Sequence, residues 1–152
     1  MLSISIVLFI AAGIQFWGTD FATHILNMDP MEAYSSYAGV IIIGPTLGTG
    51  VGGLVVHKLG GYREPKALLS CFIFYSIGAI CGIILQFIRN PYAWMSVLGT
   101  LLFFGAMTMP TLIGTMISSV PKKLKYMASS FGTLMYTIIG YLPSPFLYSV
   151  IQ

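Results

Sequence analysis

Charge is what this chain has least of. Its 152 residues include seven Lys+Arg and four Asp+Glu, 7% in all, against about 25% in a soluble domain. Eleven charged side chains cannot cover a water-facing surface, which excludes an ordinary cytosolic enzyme, a disordered tail and a secreted scaffold. Cysteine is nearly as scarce. Cys71 and Cys81 share one apolar segment, and ten helical residues separate them by about 15 Å, too far for a disulfide. They read as small buried apolar residues. The start does not read as a cleavable leader, because it has no basic residue and its apolar run outlasts a signal core. Catalytic and metal motifs are absent as well: there is no HExxH, no paired CxxC, no phosphate-cradling loop and no nucleophile elbow. The expectation is a non-enzyme without cofactor or metal.

What is abundant is apolar sequence. Hydrophobic residues make up 57% of the chain and the mean hydropathy is +0.89. The apolar residues form five long uncharged runs, about Leu2–Leu26, Tyr34–Val56, Ala67–Ile88, Tyr92–Val120 and Tyr126–Ile151. Each is long enough to cross roughly 30 Å of hydrocarbon. The fold class expected is all-α, a polytopic transmembrane helix bundle forming one membrane domain over 1–152, with the lipid bilayer as its first partner.

The loops fix an expected orientation. Six of the seven Lys+Arg lie in two of them: Lys58, Arg63 and Lys66 after the second span, and Lys122, Lys123 and Lys125 after the fourth. The loop after the first span holds Asp29 and Glu32 without a base, and the loop after the third offers only Arg89. The positive-inside rule puts both basic loops, and the N-terminus, in the cytoplasm. This clustering, rather than a basic face, also argues against nucleic acid despite the net charge of +3. Five spans, an odd number, suggest an incomplete bundle.

Three features inside the spans carry chemistry or mechanics. Gly44, Gly48 and Gly52 recur every four residues, a small-residue face that admits another helix closely. It serves either static packing or a face that slides. Gly78 with Gly82 and Ala128 with Gly132 repeat the spacing. Pro45, Pro110, Pro143 and Pro145 each remove a backbone donor and should bend or break their helices. Asp20 and His24, four apart, point to one side of the first span, with Gln15 and Thr19 near them. A carboxylate in a membrane faces a cavity or a partner, and an adjacent imidazole could hold a proton near neutral pH. The simpler reading puts Asp20 at the wet end of the span.

The run Gly52–Lys66, GGLVVHKLGGYREPK, resembles the signature loop of the major facilitator superfamily. Gly53 takes the glycine position, His57 stands where an acid is expected, Lys58 supplies the base, Gly60 or Gly61 follows, and Arg63 and Lys66 lie beyond. Lys122–Phe131 and Gly140–Pro145 look like the spinster-like branch, in which a basic loop leads into helix eleven. This resemblance implies that the five spans correspond to helices seven to eleven of a twelve-helix carrier. It also implies that helix twelve is missing, and with it the N-terminal six-helix half, or a partner subunit in place of that half.

The function so implied is alternating-access transport of a small amphipathic, organic-anion or lipid-like solute. Gln15, Trp17, Asp20 and His24 would line the cavity, the signature loop would comprise Gly53, His57, Lys58, Gly61 and Arg63, and Gly44, Gly48, Gly52, Pro143 and Pro145 would serve packing and gating. Spans two and five would move against the other half, in the plasma membrane or an endomembrane. The alternative is a non-transporting structural membrane subunit derived from such a protein.

Overall fold

The computed structural model describes residues 2–62, 64–144 and 146. Every regular element among them is helical: α1 (Leu2–Asp20), α2 (Pro30–Lys58), α3 (Pro65–Leu85), α4 (Pro91–Ser118) and α5 (Lys125–Tyr136). Two π-helical segments, Phe21–Ile25 and Thr137–Tyr141, extend α1 and α5, and a 3₁₀ turn, Lys122–Leu124, precedes α5. Four of the described helical stretches are long and apolar enough to cross a membrane: Ile4–Ile25, Pro30–Lys58, Pro65–Leu85 and Pro91–Ser118. The protein is an all-α, multi-pass membrane protein.

Three helices begin on proline. Pro30, Pro65 and Pro91 each stand at the first helical position, where the missing N–H would have no partner anyway. These starts lie one to four residues before the spans expected from hydropathy, because a proline's preference for the first helical position is not a hydropathy signal. Asn90 completes the start of α4, its Oδ1 accepting from the Tyr92 N–H at 3.1 Å and the Ala93 N–H at 3.5 Å. Asn27, in the α1–α2 turn, has φ +52°, a left-handed conformation that asparagine tolerates.

Pro45 and Pro110 do not break their helices: α2 and α4 run through them as continuous helix. Pro143 behaves differently. It cannot donate to the Ile139 carbonyl, and its ring crowds that carbonyl. The backbone just before it pairs i to i+5, with the Leu142 N–H on the Thr137 oxygen at 3.1 Å. The fifth expected span is therefore a 12-residue α-helix followed by a π segment. Pro145 and the residues from 147 onward lie outside the described residues.

The chain divides into two compact units, Met1–Phe16 with Leu112–Gln152, and Trp17–Thr111. In the first, α1 meets the C-terminal segment through small contacts. The Gly140 site lies so near the Ser5 backbone that a Cβ there would be 2.5 Å from the Ser5 carbonyl oxygen. The buried Ser144 hydroxyl donates to the Phe9 carbonyl at 2.8 Å.

In the second unit, the three-glycine face of α2 is seated on α4. Beside Gly44 runs the Gly99 carbonyl, 3.3 Å from where a Cβ would stand. At Gly48 and Gly52 a Cβ would run into the carbonyl oxygens of Phe103 and Met107. Helices in lipid gain little from hiding apolar surface from each other, so this backbone-to-backbone approach is their main source of packing energy. Ala33, Val56, Ala67, Leu98 and Met107 of this unit are all nearly inaccessible. The outward faces stay apolar, as Phe72, Leu69 and Ile83 of α3 show, each at least 60% exposed.

Gly48→Ala should therefore destabilise the protein by about 1–3 kcal/mol, the usual cost of overpacking. Gly50→Ala, where a Cβ meets nothing within 4 Å, should be neutral or stabilising by up to about 1 kcal/mol from helix propensity. Thermal unfolding followed by circular dichroism in mild detergent measures both.

Candidate functional site

Asp20 is the last residue of α1, and His24 lies in the π segment that follows. Both are exposed. Four residues bring a chain back to nearly the same side in either helix type, so the two side chains share a flank of this helix end. Among the described residues no hydrogen bond joins them. A π turn leaves carbonyls without their α-helical donors. Thr23 answers this locally, its hydroxyl reaching the Thr19 carbonyl at 3.1 Å and the Asp20 carbonyl at 3.2 Å. The π segment ends this helix, with Asp20 directly before it and His24 within it.

The same end of the second unit is built by contacts that residue spacing does not reveal. Phe21 stacks on the buried Trp94, ring centroids 5.3 Å apart and planes 22° from parallel. One turn earlier, Gly18 lies against the Tyr37 ring. Tyr92 donates its hydroxyl to Glu32 Oε1 at 2.7 Å, tying the first turns of α2 and α4 across 60 residues of sequence. The end of α1 is thus held by an aromatic stack, and an acid of the adjoining loop is already engaged. Asp20 and His24 are the ionisable side chains left facing outward on this helix end.

Of the other cavity candidates, Trp17 is half-buried in the same unit. Gln15 belongs to the first unit, where its Oε1 accepts from the Tyr141 hydroxyl at 3.1 Å. Gly53, His57 and Lys58 form the last turns of α2. Gly60 and Gly61, with φ +95° and +100°, reverse the chain toward α3, a backbone that suits glycine alone among the residues nearby. Arg63 lies outside the described residues. Pro143 is half-buried beside the second π segment. Among the described residues no group of three His, Cys, Asp or Glu is placed to hold a metal ion.

Sequence reasoning missed the π segments, the Phe21–Trp94 stack and the Glu32–Tyr92 bond. A cue existed only for the second π segment, in Pro143.

The stack should matter more to stability than the hydrogen bond. Trp94→Ala removes a ring that is only 5% exposed and should cost about 3–5 kcal/mol. Tyr92→Phe should cost about 1 kcal/mol, the net worth of one hydrogen bond. Unfolding midpoints of the two variants in the same detergent give the order.

No protein-family model, no curated protein and no solved structure matches this chain.

Proposed function

We propose that this chain is the C-terminal portion of a secondary transporter of the major facilitator type, spinster-like, moving a small amphipathic, organic-anion or lipid-like solute by alternating access. The observation that carries the reading is the outward-facing Asp20–His24 flank on the π-interrupted end of α1. An ionisable pair on a membrane helix needs a water-filled path or a covering partner. Facilitator-type carriers provide both where their two halves meet. The glycine and basic pattern from Gly53 through Lys66 and the basic approach to α5 support the same family on independent residues. In this reading both basic loops and the N-terminal end of α1 are cytoplasmic, and a six-helix half, in the same polypeptide or in a partner subunit, completes the path.

One observation favours the alternative of a structural membrane subunit. Gly48 and Gly52 are already filled by the α4 backbone, which makes α2 and α4 one rigid pair rather than a free sliding surface.

Uptake decides between them. In membrane vesicles from cells expressing the native protein, a fluorescent lysophospholipid should accumulate, and an inward proton gradient should raise the rate about tenfold, within the usual range of coupling between sites. Asp20→Asn should abolish the gradient's effect while the protein stays folded. Uptake that is identical in the variant at every pH removes Asp20 from coupling. Absence of uptake above vesicles without the protein transfers the assignment to the structural subunit.

A further inference from the structure

We propose that the turn between α2 and α3 is a binding site for the phosphodiester headgroup of an anionic membrane lipid. The inference stands apart from transport and rests on a built hollow in a particular place. α2 stays apolar as far as the buried Val56 and then turns polar with His57 and Lys58, both exposed. Two glycines in the left-handed region reverse the chain at once, and Pro65 starts α3. This sharp return leaves a hollow of about 380 Å³ lined by Gly53, Val56, His57, Gly60, Gly61 and Tyr62. Its floor on α2 is bare: a Cβ on Gly53 would meet nothing within 4 Å.

Position and charge select the ligand. The hollow opens where two spanning helices leave the hydrocarbon, the layer in which lipid phosphates lie. Among the described residues of this turn, His57, Lys58 and Lys66 stand against one acid, Glu64, whose side chain lies beside Gly60. Lys58 and Lys66 are exposed at the facing ends of α2 and α3, and the His57 ring lines the cavity itself. Leu54, one turn toward the membrane on α2, and Leu68 with Leu69, on the first turn of α3, are 50–65% exposed. A diacyl lipid can thus place its phosphate in the hollow and its chains along these leucines. A soluble phosphate would use the charges and leave the leucines idle.

The test is native mass spectrometry of the full chain in mild detergent, mixed with equal amounts of dioleoyl phosphatidylserine and dioleoyl phosphatidylcholine. The wild type should retain phosphatidylserine several-fold over phosphatidylcholine. Gly53→Leu fills the hollow without changing charge, and Lys58→Gln with Lys66→Gln removes charge without filling it; each should erase the preference. Lys123→Gln with Lys125→Gln, in the other basic loop, should leave it intact. Circular dichroism establishes that each variant is folded, and if Gly53→Leu is not, the two lysine pairs decide. Equal retention of both lipids by the wild type overturns the proposal. So does a preference that survives Gly53→Leu, or falls equally with both lysine pairs, since either means diffuse attraction to a basic loop. Displacement of the bound lipid by inorganic phosphate or glycerophosphoserine at the same concentration assigns the hollow to a soluble phosphate and overturns the lipid.

Discussion

The close approach of α2 to α4 is the constraint on which the second unit depends. Gly44, Gly48 and Gly52 bring the α2 backbone against Gly99, Phe103 and Met107 of α4. Larger residues there would part the helices and forfeit the dispersion contacts that replace hydrophobic burial in lipid. The seam also sets both ends of the pair. At one end it brings Glu32 within reach of Tyr92. At the other, Gly53 follows directly on the seam's last glycine and opens as the bare floor of the hollow beneath His57.

Many hydroxyls inside these helices follow a second rule, that polar groups in hydrocarbon are paired within the protein. Hydroxyls turn back on their own helices: Thr49 to the Pro45 carbonyl at 2.9 Å, Ser76 to Phe72 at 2.9 Å, Thr100 to Ser96 at 2.9 Å. Thr23 does the same at the first π segment and so makes an irregular turn tolerable next to Asp20. In the first unit, Ser144 and Tyr141 use side chains to bind α1 where the second π segment departs from α-helical pairing.

Much of this was legible before any coordinates, for identifiable reasons. The four long helices follow from uncharged runs, a signal with little competition in a chain so poor in charge. The start of the first matches, while the other three begin earlier, because hydropathy is blind to Pro30, Pro65 and Pro91, whose meaning is backbone geometry. The glycine face could be read from its spacing, but not that α4 would cover it, since periodicity names a face and never its partner. Pro143-Ser144-Pro145 reads as the most disruptive proline element, and the backbone changes its pairing just before Pro143, while α2 runs unbroken through Pro45. Asp20 and His24 were visible by type and spacing. The stack of Phe21 on Trp94 and the bond from Tyr92 to Glu32 join residues far apart in sequence, and no local pattern encodes them.

The central claim is that the Asp20–His24 flank works against a second half of a transporter. The most direct measurement is the mass of the native species, extracted in mild detergent and detected with an antibody to the Lys122–Lys125 loop, compared before and after denaturation. The account predicts a native protein mass of at least about twice this chain's 16.5 kDa, because twelve spans with loops, at about 30 residues per span as in this chain, must be present, whether in one polypeptide or two. A native species of 16.5 kDa that contains this chain alone would contradict it.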